Sequence, residues 1–518
     1  MSERIAIGPG RLDGREQGLL AAFALGAWAL FYLPGVLGSY GYFIDEFYYA
    51  ACAARPAWGY VDHPPLAPVV LALTRGLLGD SLWALRLVPA LAGAATVVLT
   101  MLLARRLGAG VFGQCLAAGC LLAASVPQIM FGMFSMNAFS MPIWLGCCWL
   151  LVEIEARDEP RLWLAFGALA GVGLENKHTI VLLAAGLAVG LLLTPARRHF
   201  RGPWLWAGAG LALLIASPNL AWQAAHGWPS LEFYRNASLY KNLDTPPHMV
   251  VLFQVLTMNP GTVPVWLAGA YFFLRAPEAR RWRHLGWIFV ALFALIVASG
   301  SSRPDRITPI YPVMFAAGGA LLDALGRRRP WVRWAAGLVL AVNGLVLLPV
   351  GTPILPPRPL AAYVAKIGVV PQIEAGEGKT SPLPQWFADR TGWEEFARDV
   401  EAAVAALTPE ERASAVIFAP SYGQAGAIEL LLAGRGMPPV YSGHNSYFLW
   451  GPPRQPFSTA IFIGWERELL ETLFAEVTLV STHHCDLCMR WRDGMPFWIA
   501  RGPRRDVAEI WPEVKHFE

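Results

Sequence analysis

Residues 82–104 read LWALRLVPALAGAATVVLTMLLA, and Arg105–Arg106 follow at once. A run of about 20 mostly apolar residues is what a helix needs to cross the hydrocarbon core of a bilayer. A basic pair at its end marks the cytoplasmic side. The pattern recurs outward in both directions. Further apolar stretches fall near 17–37, 111–131, 137–154, 161–175, 178–194, 203–221, 249–274, 284–300, 307–325 and 331–350. The predicted fold class is therefore mainly α, a multi-spanning transmembrane bundle of about eleven spans.

Composition agrees. The 518 residues are 55% hydrophobic and only 15% charged, with a mean hydropathy of +0.42. A soluble domain carries about 25% charged residues, so a wholly soluble protein is excluded. The 22 Trp and 41 Pro fit helices with interfacial anchors and breaks. A net charge of +4 is small and gives no reason to expect a nucleic-acid partner. Its distribution says more. Arg105–Arg106, Arg197–Arg198–Arg201, Arg280–Arg281–Arg283 and Arg327–Arg328–Arg329 fall at alternate gaps between spans. All four reach the cytoplasmic face if the N-terminus is inside. The N-terminal stretch lacks a small-residue cleavage site after a short apolar core, so no removable signal peptide is expected. An odd number of spans puts loop 40–80, segment 222–248 and everything beyond 350 outside. Nucleotide sugars and ATP are scarce there, so an activated substrate must arrive on a lipid.

The Pro-rich stretch GTPILPPRP (351–359) ends the last span. It divides a bundle, 1–350, with outer loop 40–80, from a soluble α/β module, 351–518. In the module, Ala415–Pro420, Pro439–Ser442, Ala460–Gly464, Val477–Ser481 and Phe497–Ala500 read as strands. Trp393–Leu407 and Ala425–Ala433 read as helices. SYGQAG (421–426) stands at a strand–helix turn, where a phosphate can bind, although it is no GxGxxG match. Of seven cysteines, Cys52, Cys115, Cys120, Cys147 and Cys148 lie in or near apolar stretches and read as packing residues. Cys485 and Cys488, in HHCDLC (483–488), read first as a local disulfide and second as part of a zinc site.

Candidate chemistry starts at Asp45 and Glu46 in YGYFIDEFYYAACA (40–53). Burying an unpaired carboxylate is costly, so adjacent acids at a membrane surface are functional candidates. WGYVDHPPLAP (58–68) adds Asp62 and His63. Asp62 fits a helix cap or a pocket wall. His63 fits a surface position or a partner for an anionic head group. SMNAFSMPIW (135–144) presents Asn137 and Ser140 at the outer start of a span, Asn137 as a cap or as a cavity-lining residue. GLENKHT (173–179) brings Glu175, Lys177 and His178, which fit mutual pairing, while Lys177 also fits a phosphate. SGSSRPDRITPIYP (299–312) supplies Arg303 and Arg306, suited to phosphate or to a surface pair with Asp305. Tyr40, Tyr42, Phe43, Tyr48 and Tyr49 fit the interfacial belt, with Tyr42 a candidate for stacking on a sugar. Carboxylates and cations gathered on one membrane face suit deprotonation of an acceptor while a phosphate leaves. A divalent cation shared by Asp45, Glu46 and Asp62 is compatible with this set.

Those motifs, with GDSLWALRLVPALAGA (79–94), PNLAWQAAHGWPSLEFYRN (218–236) and SGHNSYFLWGPP (442–453), resemble the bacterial protein-mannosyltransferase-like branch of the polyprenyl-phosphate-sugar glycosyltransferases. That branch belongs to glycosyltransferase superfamily C, together with the lipid A aminoarabinose transferases. The resemblance implies inverting transfer of a sugar from a polyprenyl-phosphate donor to an envelope acceptor, at the periplasmic face of a bacterial inner membrane. It implies a catalytic role for Asp45, with Glu46 beside it. A second acidic position of some members reads Asn137 and Ser140 here. The position of a lysine-before-proline that holds donor phosphate reads His63. A late Lys-Pro-x-Tyr pattern reads Arg303, Pro304 and Arg306, so the cation is kept and the tyrosine is replaced. The alternative reading is a transporter or flippase of lipid-linked sugars. It accounts less well for the outer module and shows no repeated halves.

Overall fold

The computed structural model describes residues 12–242, 244–300, 303–368 and 380–518. The polar head at residues 1–11 lies outside them. The chain divides into two compact units, each discontinuous in sequence. One, the helical unit, comprises 1–38, 86–221 and 243–354. The other, the sheet unit, comprises 39–85, 222–242 and 355–518. Outer loop 40–80, expected to go with the bundle, packs instead with the C-terminal residues. The reason is apolar: Ile44 and Phe47 are buried in the same core as Trp393, Phe396 and Ile461.

The helical unit has long helices at Gly14–Leu37, Leu82–Arg106, Met136–Arg157, Pro203–Ala225, Pro277–Ala298, Asp305–Arg328 and Trp331–Gly351. Three other predicted spans are bent: at Ala124 by 71°, between Leu192 and Pro195 by 111°, and before Pro260 by 88°. Each break has a proline within a few residues, which removes an amide donor and blocks straight continuation. The described residues thus hold seven unbroken candidate spans, or ten with each bent pair counted as one. The eleventh predicted stretch is the shorter apolar helix Leu162–Asn176. Trp331, Trp334, Leu338 and Leu345 are exposed on one helix. A surface this apolar belongs in lipid rather than water. The chain is a multi-pass membrane protein.

The basic clusters meet at one end of this unit. Glu153 accepts from Arg106 at 2.7 Å and Arg157 at 2.6 Å. Glu155 pairs with Arg198 at 3.2 Å, and Trp282 donates to the Val152 carbonyl at 3.1 Å. Asp323 accepts from Arg327, Arg333 and the Gly110 amide. Asn137 lies at the other end of the same Met136–Arg157 helix. At 1.5 Å per residue the separation is about 30 Å, a bilayer's hydrocarbon thickness.

The sheet unit carries five strands, β1 (Val416–Phe418), β2 (Val440–Tyr441), β3 (Thr459–Ile463), β4 (Phe474–His483) and β5 (Met495–Pro503). Their order is β2-β1-β3-β5-β4. β1 runs parallel to β2 and β3, while β5 is antiparallel to β3 and β4. All five predicted strands form. Alternation sorts their side chains: Ile417, Ile461, Ile463, Phe497 and Ile499 face one core, and Val416, Phe418, Phe462 and Trp498 face the other. Helices Trp393–Ala405 and Tyr422–Leu431 cover the first face, and helix Ile44–Ala54 joins them there.

That last helix lies against SYGQAG. A Cβ on Gly426 would sit 2.7 Å from the Phe47 carbonyl oxygen, and one on Gly423 would strike Ile44. The glycines serve close helix approach, and Ser421 caps the helix by accepting from the Gly423 amide at 3.1 Å. The phosphate reading of this turn is replaced by a packing role. Gly426→Val should destabilise the protein by about 1–3 kcal/mol through overpacking, read as a lowered thermal midpoint.

Cys485 and Cys488 are disulfide-bonded, which leaves no thiolates for zinc.

Candidate functional site

Asp45 and Glu46 occupy the first turn of helix Ile44–Ala54. Neighbours on a helix point about 100° apart, so the two acids part company. Glu46 is fully buried and accepts from the Phe43 amide at 2.8 Å. That bond satisfies one of the open donors at the helix start. A catalytic role for Glu46 is thereby replaced by a capping one. Glu46→Ala should cost about 1 kcal/mol of stability and leave turnover per folded molecule unchanged, measured by thermal melting beside an activity assay. Asp45 is only partly buried. Its Oδ1 accepts from the Tyr422 hydroxyl at 2.9 Å.

Tyr422 is wedged between rings. It stacks on Tyr48 with centroids 4.6 Å apart, and His444 lies 4.6 Å away on tilted planes. Tyr48 donates to Asp62 at 2.9 Å and contacts the Ser446 hydroxyl at 2.7 Å. Asp62 is therefore no helix cap; the cap position of the following helix is Pro65. Asp45, Glu46 and Asp62 each face a different partner, so the shared divalent site does not form. Among the described residues no three His, Cys, Asp or Glu side chains stand together as a metal site.

His63 is 0% exposed. Its ring stacks on Tyr49 at 4.7 Å and tilts against Tyr60 at 4.9 Å, with Nδ1 3.0 Å from the Pro64 carbonyl. Enclosed by aromatics, it has no open face for a phosphate, and its donor-binding role is corrected to one of packing. Tyr40, Tyr48 and Tyr49 are likewise core residues, 4%, 1% and 4% exposed, rather than an interfacial belt. The Tyr42 hydroxyl donates to the Asp80 carbonyl at 3.0 Å.

The cations assemble in the helical unit. Lys177 follows helix Leu162–Asn176, and its Nζ donates to Asn137 Oδ1 at 2.6 Å and lies 3.9 Å from Asp305 Oδ2. Arg303 Nε reaches the other oxygen of Asp305 at 3.1 Å. Ser135, not Asn137, caps the Met136–Arg157 helix, which leaves the Asn137 amide to orient Lys177. His178 pairs with Asn219 at 3.1 Å rather than with Glu175. Asn176 bonds Ser140 at 3.0 Å and so ties the Lys177 turn to the same helix. Burial pushes Lys177 down to about 8; Asp305 opposes the shift, while Arg303 and Arg306 reinforce it. Lys177 and Arg303 meet at one carboxylate, and Arg306 acts electrostatically on both Lys177 and Asp305 in a partly desolvated setting. An anion bearing several oxygens matches it.

Asp305 was expected at most in a surface pair. It is instead the hub that joins two cations from distant segments. Tyr422 and Ser446 were not anticipated, although both lie inside motifs that stood out in the sequence.

Comparison with known proteins supports this frame. Residues 62–222 match the model of the family described as dolichyl-phosphate-mannose-protein mannosyltransferase. That range includes Asp62, His63, Asn137, Lys177 and His178 but neither Asp45 nor Arg303. The chain is 25% identical over 310 residues, 56% of its length, to undecaprenyl phosphate-alpha-4-amino-4-deoxy-L-arabinose arabinosyl transferase 1 of Pseudomonas fluorescens. It spans about half, 54%, of that curated relative. The crystal structure of ArnT from Cupriavidus metallidurans bound to undecaprenyl phosphate superposes with a TM-score of 0.61 at 16% identity, covering 93% of this chain and 98% of that one. The apo form gives 0.59 at 15% identity, covering 94% and 98%. The chain has the fold seen in ArnT and, over residues 62–222, is similar to the dolichyl-phosphate-mannose-protein mannosyltransferase family.

Proposed function

We propose that this protein is an inverting glycosyltransferase that moves one sugar from a polyprenyl-phosphate donor to a cell-envelope acceptor. The observation that carries the reading is the convergence of Lys177, Arg303 and Arg306 at Asp305. It lies about 30 Å along one helix from the basic loops. With those loops cytoplasmic, the cations belong to the periplasmic face of the inner membrane, where the donor is presented. Asp45, steadied by Tyr422, accepts the proton of the acceptor hydroxyl or phosphate. The acceptor oxygen bonds to the sugar's anomeric carbon from the face opposite the phosphate. The carbon–oxygen bond to the phosphate breaks, and the electron pair leaves on a phosphate neutralised by the three cations. A donor bearing undecaprenyl phosphate fits, since a solved protein of this fold holds that lipid.

Mass spectrometry of envelope lipids and glycans, with and without the protein, tests the reading. One envelope species should differ by the mass of one sugar. Unchanged masses throughout, with the protein present and inserted, would refute it.

The buried lysine adds a pH test. Lowered from its usual value near 10.5, Lys177 loses its proton as pH rises through about 8. A phosphate monoester is fully ionised by then, so the ligand contributes no change of its own. Affinity for polyprenyl phosphate should therefore fall between about pH 7.5 and 9, where an ordinary lysine would hold it constant. Lys177→Arg should flatten that fall, as followed by binding titrations across the range.

A further inference from the structure

The sheet unit holds a polar cavity. Helix Ile44–Ala54 starts beside Asp45 and ends at Arg55, so about 15 Å of helix lies between them. Around Arg55 the unit forms a cavity of about 540 Å³, lined by Glu429, Tyr441, Tyr447, Trp450 and the loop that includes Gly434 and Pro439. This is within the usual range for small-ligand sites, about 300–1,000 Å³.

Its polar groups are held in place. Arg55 grips Glu429 through both terminal nitrogens, at 2.9 and 2.6 Å. The Tyr447 hydroxyl donates to the same carboxylate at 2.9 Å. The Arg55 guanidinium lies 4.4 Å from the Trp450 ring centroid, and the Tyr447 ring meets Trp450 edge-on at 4.5 Å. Arg55 and Glu429 are nevertheless 38% and 25% exposed. A guanidinium has five N–H donors and a carboxylate about four lone-pair sites, so the pair retains capacity toward the cavity.

The charge balance selects the ligand class. One cation faces one anion, so the lining has no excess charge to draw a phosphate, unlike the Lys177 cluster. An alkyl chain seated here would desolvate an ion pair and return no hydrogen bonds. A neutral sugar ring satisfies both demands. Its hydroxyls donate to the carboxylate and accept from the guanidinium, and its C–H face packs on an aromatic ring.

We propose that this cavity binds a neutral glycosyl unit, with Arg55 and Glu429 bonded to its hydroxyls and Trp450 packed on its ring. Its role as the acceptor's glycosyl unit rests on the transferase reading above; the binding itself does not.

The test is saturation-transfer NMR on the full chain in detergent, with methyl glycosides of neutral hexoses and pentoses as probes and inorganic phosphate as competitor. At least one glycoside should bind, and phosphate should not displace it. Trp450→Ala and the near-isosteric Glu429→Gln, each checked for an unchanged thermal midpoint, should weaken binding at least about tenfold. Asp45→Asn and Lys177→Ala should leave it intact, which separates this site from the proposed chemistry. Absence of binding by every glycoside, displacement by phosphate, or full binding by either folded variant would overturn the proposal. Sugar transfer persisting in those cases would leave the transferase reading standing.

Discussion

Asp45→Asn is expected to abolish sugar transfer while the protein still folds, inserts and binds its donor lipid. The substitution is nearly isosteric, and the asparagine oxygen still accepts from the Tyr422 hydroxyl that now lies 2.9 Å from the carboxylate. What disappears is a basic lone pair able to take a proton. A positioned general base contributes about 10²–10⁴-fold in rate, so turnover should fall by at least that range. Glu46→Gln makes the matched control, because its oxygen still accepts the Phe43 amide and no proton transfer is assigned to it. In membranes supplied with donor, loss in the first variant and retention in the second support the assignment. Normal turnover by Asp45→Asn removes the mechanism.

Lys177→Ala should have the second largest effect, and on donor binding rather than on the chemical step alone. The ammonium is 14% exposed and oriented by Asn137, so little of its charge is spent on water. A hydrogen bond to a charged group is worth about 1.5–3 kcal/mol, a loss of roughly tenfold to a hundredfold in affinity. Arg303→Ala should weaken binding comparably. The double variant should fall short of the product of the two, because both cations share Asp305 and residues in one network are not additive. Polyprenyl-phosphate titrations of the two single variants and the double variant decide the matter. Unchanged affinity in Lys177→Ala would exclude the cluster as the phosphate site.

Much of the architecture was legible from local pattern. Apolar runs located the spans because a bilayer imposes a length and forbids charge. Short apolar runs between helical stretches located all five strands, because a sheet covered on both faces needs apolar side chains on both. The prolines near 124, 195 and 260 sit in the runs that bend, yet a hydropathy pattern does not distinguish a bent span from a straight one. Among the site residues, Lys177, Arg303 and Asn137 were legible as polar groups in costly places. Tyr422 was not, since its partner lies hundreds of positions away in the chain. His63 misled for a related reason. A histidine beside two prolines suggests a loop surface, and only the ring contacts with Tyr49 and Tyr60 reveal a closed aromatic cage.

Taken alone, the sequence determined that the chain crosses a membrane many times, that its arginine clusters share one face, and that an α/β module follows the last span. These properties depend on hydropathy, charge and periodicity, which short stretches possess by themselves. Tertiary structure alone decided that loop 40–80 builds into the sheet unit, that Glu46 caps a helix while Asp45 meets Tyr422, and that Asp305 holds Lys177 and Arg303 together. Those outcomes depend on side-chain direction and on which remote segments pack in contact, and such information exists only once the chain has closed on itself.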